Sequence, residues 1–336
     1  MEFLFQIGLF AFKTIFVVGG IIVVLGAVFF FAARSKERSQ ISIDKLNDYY
    51  SDLKAMLQME LLSKKELKEF NKKEKKARKD PAPREKRAFV IDFDGDLKAS
   101  EVENLREEVT AILAAAKSTD EVIVRLESPG GLVTSYGLAA SQLVRLRDAK
   151  LKLTICVDKV AASGGYMMAC VGDRILAAPF AVLGSIGVVA QVPNIHRLLK
   201  KNDVDFREVT AGEFKRTVSI MGEITEKGLE KFREQLEDTH ILFKNHVAHY
   251  RPQLDVAKVA TGEYWYGTQA IELSLIDKIQ TSDDYLFGLH ESTDLIQIQY
   301  VTRKKLSERV SESFSTALHQ FALKIWREAQ EARYGM

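Results

Sequence analysis

The sequence predicts an α/β protein built from repeated β-α-β units, and two observations carry that reading. Between about residues 86 and 290, short β-branched apolar runs alternate with amphipathic stretches, the pattern of parallel strands joined by right-handed crossovers. Two glycine turns, Pro129-Gly130-Gly131 and Ser163-Gly164-Gly165, fall at the ends of such runs, where open parallel sheets bind ligands.

From the N-terminus, Thr14 to Ala33 is twenty residues without a charge, enough to cross a bilayer core as a helix. Glu2 replaces the basic start of a signal peptide, the apolar core is too long for one, and A-A-R-S at 32–35 is a poor cleavage site. Residues 1–33 therefore read as an uncleaved anchor. From 34 to 85 the chain reads as a basic helical spacer, with Leu46, Tyr50, Leu53, Leu57 and Leu61 at helical spacing. Pro81 and Pro83 end it, since each excludes helix from the residue before it. The domain starts near residue 86.

Ala88–Phe93 reads as the first strand, followed by D-G-D. Ser100 with Glu103 reads as a capping box that opens a helix to about Lys117. Strands follow at 121–126, 151–157 and from 174, with a helix from about Thr134 to Asp148 between the first two. Pro193–Lys201 reads as a short helix, Asp205–Val209 as a strand, Thr225 to Tyr250 as a long helix, and Tyr264-Trp265-Tyr266-Gly267 as an aromatic turn. Residues 291–336 hold a late strand at Leu295–Val301 and an amphipathic stretch at Lys304–Arg333.

The formal net charge of +2 argues against a dedicated nucleic-acid binder. Positive charge is local instead, dense from Lys64 to Arg87, and suits either anionic lipid headgroups or a solvated helix and linker. The two cysteines, Cys156 and Cys170, lie in apolar runs and give neither a disulfide framework nor metal-ligand spacing.

The chemistry centres on Val160–Cys170, V-A-A-S-G-G-Y-M-M-A-C. A helix opening at Gly164 points unpaired N–H groups back at Ser163, setting a nucleophile beside ready donors. Taken alone, S-G-G also reads as a plain turn before a buried helix. Serine needs a base, and none of His196, His240, His246, His249, His290 and His319 adjoins a glycine turn. The nucleophile-elbow pattern G-x-S-x-G is also missing. That leaves a lysine made neutral by burial, a pKa change from about 10.4 to about 7 that corresponds to roughly 4.6 kcal/mol. Lys159 and Lys215 are both candidates, and residue spacing does not choose between them.

Six segments occur in order: D-F-D-G-D at 92–96, E-S-P-G-G at 127–131, D-K-V-A-A-S-G-G-Y-M-M-A at 158–169, L-G-S-I-G-V at 183–188, T-A-G-E-F-K-R at 210–216 and T-G-E-Y-W-Y-G-T-Q-A at 261–270. Together they resemble the signal peptide peptidase A family of serine–lysine peptidases, in its SohB-like branch, from about residue 88 to 280. The resemblance implies the Clp-protease/crotonase-like fold, with Ser163 as nucleophile and Lys215 as general base. It further implies Ser185 as the hydroxyl that orients the lysine, and backbone N–H groups of Gly131 or Gly130 and of Gly164 as the oxyanion hole. Lys215 lies 52 residues after Ser163, so the pair meets only through tertiary folding. Ser274 stands where the family usually has glycine.

On this reading the protein is a single-pass serine endopeptidase of a bacterial inner membrane, acting on signal-peptide remnants or misfolded envelope proteins. It needs no metal or cofactor. Its partners are a peptide or protein substrate, membrane lipid and further copies of itself in a homo-oligomer, with no nucleic acid. Acyl-CoA chemistry on the same fold would not require both Ser163 and Lys215. The alternative from another class is a catalytically silent membrane scaffold, against which stand the retained serine, lysine and glycine turns. Arg34, Lys36 and Arg38 after the span favour a cytoplasmic domain by the positive-inside rule, whereas the resemblance favours the periplasmic face, which is the expectation adopted.

Overall fold

A computed structural model describes residues 40–79 and 86–301, together with Gly19, Gly20 and Arg84. The predicted span at 14–33 (those two glycines apart), the prolines of the linker and the amphipathic stretch at 304–333 lie outside the described residues. Among the described residues, no helix is long and apolar enough to cross a membrane. Ile41–Tyr300 forms one compact unit.

Ten strands run in chain order among the described residues: β1 (Gln40–Lys45), β2 (Lys86–Asp94), β3 (Glu121–Glu127), β4 (Lys152–Val157), β5 (Val160–Ala162), β6 (Arg174–Ala177), β7 (Val182–Gly184), β8 (Tyr264–Tyr266), β9 (Lys278–Ile279) and β10 (Thr293–Val301). Seven make one sheet in the order β1-β10-β2-β3-β4-β6-β9, and from β10 to β9 every pairing is parallel. β5, β7 and β8 form a second, three-stranded sheet.

The main sheet is covered on both faces, so its central strands read as near-continuous apolar runs. On one face Phe89, Ile91, Phe93, Val122, Val124, Leu153 and Ile155 share a core with Leu105, Val109 and Ile112 of helix Val102–Ala115 and Leu143 and Leu146 of helix Val133–Asp148. On the other face Ala88, Val90, Ile123, Cys156 and Leu176 meet Tyr285 and Leu286 of helix Ser282–Leu289. The sequence reading of repeated parallel units with helices between them matches this architecture.

Several local readings need correction. The stretch read as a purely helical spacer begins with β1, an edge strand of the main sheet, before helices Leu46–Leu61 and Lys64–Lys79. Asn47 ties that start down: its amide donates to the carbonyls of His290 and Thr293 and accepts from the Leu295 N–H. β10, read as a late addition, lies between β1 and β2.

The capping box at Ser100 does not form. The Asp96 carboxylate takes both the Ser100 N–H, at 2.8 Å, and its hydroxyl, at 2.8 Å, so the hydroxyl is unavailable to the helix, and Glu103 pairs with Arg106 instead. Asp205–Val209 is not a strand, because it has no sheet neighbour and its side chains face solvent; Val209 is 95% exposed. At Ser274 the backbone takes φ 61°, the left-handed cap that glycine eases.

Helix Val102–Ala115 also buries a carboxylate. Glu108 is 4% exposed, accepts the Tyr300 N–H at 2.8 Å, and burial pushes its pKa from 4.5 up to about 7. A carboxyl whose pKa rises on folding binds its proton more tightly in the native state. Stability therefore falls as pH climbs between those two values. Glu108→Gln is expected to remove that slope and to leave the protein about 3 kcal/mol more stable than its parent at pH 8, with the two converging below about pH 4.5. Urea melts at both pH values check this, and parallel pH dependence in the two proteins would refute it.

Candidate active site

The site forms where β3 and β5 end. After β3 the chain runs through Ser128 into the Pro129-Gly130-Gly131 turn, and after β5 into Ser163 and helix Gly164–Ala169. Ser128 joins the two segments: its N–H donates to the Val160 carbonyl at 2.8 Å, and its carbonyl accepts from Ala162 at 3.0 Å. Sequence spacing put both turns at strand ends, and the structure brings them into contact.

Ser163 is half-buried and takes φ 52°, ψ −118°, a region that costs a non-glycine residue of order 1–3 kcal/mol. Its N–H donates to the Gly184 carbonyl at 2.8 Å. The strain thus sits on the serine itself, as at a nucleophile elbow, although the G-x-S-x-G pattern is absent. The glycine after it is needed for another reason: a Cβ on Gly164 would enter the Tyr136 ring.

Gly130 does use glycine's freedom. It takes φ 88°, and a Cβ there would lie 2.8 Å from the Ser163 Cβ and 2.7 Å from the Gly164 nitrogen. Its N–H donates to the Ser128 hydroxyl at 3.1 Å. Among the described residues, the N–H groups of Gly131 and Gly164 donate to no acceptor; the second is an unpaired donor of a helix N-terminus.

Ser185 sits next to this turn. β5 pairs with β7 so that Ala162 faces Gly184, and the next residues are Ser163 and Ser185, both at positive φ. The structure therefore brings Ser163, Ser185, Gly130 and Gly164 together, with Gly131 next along the turn.

No hydrogen bond or ion pair joins Lys215 to any of them among the described residues. Lys215 lies in an exposed, largely irregular excursion between β7 and helix Glu226–Tyr250. Its side chain makes no hydrogen bond or ion pair among the described residues, while its neighbours do: Glu213 pairs with Lys227 and Arg216 with Glu208. Phe206, Val209 and Phe214 in the same excursion are exposed.

Lys159, the other candidate base, is accounted for elsewhere. It is exposed and pairs with Glu127 at 2.8 Å, and the hydrogen bond and charge of that carboxylate hold its amine above the ordinary lysine range. A lysine kept charged cannot take a proton from serine. Both side chains line a cavity of about 300 Å³ with Asp92, Arg125, Asp158 and Asp283. Ser163 does not line it; Arg125 pairs there with Asp92 at 2.5 Å, and the Asp158 carboxylate accepts the Ser282 N–H at 2.8 Å. The cavity is distinct from the Ser163 turn.

Among the described residues, which do not include His319, no histidine hydrogen-bonds to Ser163. His240 and His246 contact the backbone carbonyls of Ile186 and Met167. Cys156 and Cys170 are buried free thiols, and burial pushes Cys156 up to about 12. No group of three or more His, Cys, Asp or Glu suited to a metal occurs among the described residues. The spacing arguments missed Ser128 and Tyr136, whose hydroxyls meet behind the turn at 2.5 Å; Ser128 lies inside the E-S-P-G-G segment, but nothing local marks its partner.

A parallel sheet whose strand ends gather glycine turns around one serine is the arrangement in which α/β proteins place their ligand sites. Residues 2–143 match the model described as Peptidase family S49 N-terminal, and residues 145–295 match Peptidase family S49; the chain belongs to peptidase family S49. It is 46% identical to "Probable protease SohB" of Haemophilus influenzae, over 96% of this chain and 97% of that one. To the "Probable protease SohB" of Buchnera aphidicola subsp. Acyrthosiphon pisum it is 52% identical, over 72% of each chain. A "Putative protease slr0021" of Synechocystis is 32% identical over 52% of this chain and 65% of that one.

Proposed function

We propose that the chain is a serine endopeptidase anchored through residues 14–33 in a bacterial inner membrane, its peptidase domain on the periplasmic face. Ser163 is the nucleophile and Lys215 the general base, with Ser185 orienting the lysine amine. The N–H groups of Gly131 and Gly164 hold the oxyanion. One observation carries this most directly: Ser163 stands in a strained turn against Gly130, beside N–H groups that have no other acceptor. Of the two glycines considered for the first donor, Gly131 is the better fit, since the Gly130 N–H already serves Ser128.

In the reaction the lysine amine takes the Ser163 proton, the oxygen adds to a peptide carbonyl, and the two N–H groups meet the developing negative charge. The protonated amine then gives its proton to the leaving nitrogen, and water, activated by the same amine, clears the acyl-enzyme. Neither a metal nor a cofactor enters any step. A lysine serves as base only in its neutral form, which burial favours. Lys215 is exposed here, so the active arrangement requires its excursion to be laid over a Ser163 turn, in the same chain or in a second copy within a homo-oligomer. Substrates are extended peptides, as signal-peptide remnants or misfolded envelope proteins would supply; the probable proteases among the relatives support this class.

The exposure of Lys215 is also what favours the rival reading, a catalytically silent membrane scaffold. A fluorophosphonate probe separates the two. Labelling of the peptide that carries Ser163, lost in Ser163→Ala, is expected; an unlabelled wild-type protein would favour the scaffold. Fusions after Met336 report the membrane side: active alkaline phosphatase is expected, and bright green fluorescent protein with inactive phosphatase would move the domain to the cytoplasm.

A further inference from the structure

We propose that Ser128 and Tyr136 are positioning residues that set the oxyanion turn, an inference that rests on Ser163 being the nucleophile. Both are buried without measurable exposure, and their hydroxyls form one directed chain. The Tyr136 hydroxyl lies 2.7 Å from the Asp96 carbonyl, which can only accept, so the tyrosine proton points there. A hydroxyl carries one proton, so Tyr136 must accept from Ser128, 2.5 Å away. The Ser128 oxygen in turn accepts the Gly130 N–H at 3.1 Å. Each donor in the row therefore has a single available direction.

Three segments of the site close on these two hydroxyls. A Cβ on Gly95 would lie 2.5 Å from the Ser128 oxygen and 2.6 Å from the Tyr136 oxygen. The Tyr136 ring lies where a Cβ on Gly164 would be, and the Ser128 carbonyl lies 2.5 Å from where one on Gly165 would be. The D-F-D-G-D loop, the E-S-P-G-G turn and the S-G-G helix start are thus braced against one pair of side chains. Asp96 is itself held by Ser100 and by the Lys98 N–H.

The chemical consequence lies in the peptide plane before Gly130. With its N–H bound inward by Ser128, that plane cannot turn, and the next N–H, on Gly131, is left for the substrate oxygen. Without the Ser128 hydroxyl the buried Gly130 N–H has no acceptor, and the turn is free to rotate that group toward the oxyanion position. The pair touches neither substrate nor reacting atoms; it acts through the orientation of the two oxyanion donors.

The test uses the full-length protein, with Ser128→Ala, Tyr136→Phe, their double variant and Ser163→Ala. Peptide cleavage gives kcat and KM, and two inhibitors of one peptide sequence probe the turn. A peptide aldehyde adds the Ser163 oxygen to its carbonyl carbon; the C=O π bond opens onto oxygen, and the serine proton passes to the base. The peptide alcohol binds without forming that bond. Each single variant is expected to lose about 10- to 100-fold in kcat, with KM within about twofold, since misplacing or losing one oxyanion donor costs on that order. Aldehyde affinity should fall by the same factor while alcohol affinity holds. The double variant should be no worse than the worse single one. Tyr136→Phe keeps the ring beside Gly164 and so carries the test if Ser128→Ala does not fold. Ile112→Val, a small loss in the distant core, controls for stability alone.

Unchanged kcat in both variants, equal losses of aldehyde and alcohol affinity, or the same kcat loss in Ile112→Val would each overturn the positioning role. A wild-type protein no more sensitive to the aldehyde than Ser163→Ala would instead overturn the nucleophile assignment, and the positioning role with it.

Discussion

Ser163→Ala, Lys215→Ala and the double variant are expected to lose peptide cleavage to one common background, about 10⁴-fold or more below the parent. The equality matters as much as the size. A nucleophile and its base act as a unit, so removing the second partner costs nothing further once the first is gone. Lys215 makes the case sharp, because its side chain is exposed and makes no hydrogen bond or ion pair among the described residues. Its truncation has no route to activity through the stability of the fold, and thermal melts should be unchanged. Lys159→Ala, which removes only an exposed ion pair with Glu127, should keep full turnover. Cleavage that survives in Lys215→Ala would remove Lys215 from the mechanism.

The largest expected stability loss lies beneath the site rather than in it. Arg251 is 2% exposed and meets the Asp277 carboxylate through two nitrogens, at 2.8 and 2.9 Å, with the Ser274 carbonyl as a further acceptor at 2.9 Å. Asp277 also receives the Ile175 N–H at 2.7 Å. Between them, the Leu275 carbonyl accepts the hydroxyl of Tyr166 at 2.9 Å, and Tyr166 belongs to the helix that opens at Gly164. Asp277→Ala leaves a guanidinium inside the protein without its counter-charge, a change that costs about 3–5 kcal/mol. For a unit of this size that corresponds to a melting temperature lower by roughly 10 °C. Adding Arg251→Met should recover most of the loss, because a buried ion pair replaced by apolar side chains is often neutral. A loss below about 1 kcal/mol in Asp277→Ala would show that the guanidinium is solvated after all.

The local order of the chain was legible from its residues. Short apolar runs such as A-F-V-I-D-F and E-V-I-V-R-L, and a period of three to four in the helices between, depend only on residues near one another along the chain. The strands read at 121–126, 151–157 and from 174 correspond to β3, β4 and β6, and helix Glu226–Tyr250 begins at the Thr225 that the pattern marked, its hydroxyl accepting the Gly228 N–H at 3.1 Å. The positions of both glycine turns followed from the same alternation. So did the burial of the two thiols. The capping box failed because Ser100 had a competing acceptor, Asp96, four residues back, and propensity rules do not weigh such rivals.

What the sequence by itself determined is therefore the α/β class, the strand–helix alternation, and Ser163 with its glycine turns at the strand ends. Tertiary structure alone decided that β1 enters the sheet beside β10, some 250 residues away, held through Asn47. It alone decided that Lys159 is tied to Glu127, that the Gly130 N–H is engaged by Ser128, and that the strain falls on Ser163 rather than on the glycines after it. The division has one physical reason. Periodicity records the direction in which each side chain points, a property of neighbours along the chain. Whether a donor is free, a lysine is paired or a strand has a partner depends on groups that folding brings from elsewhere.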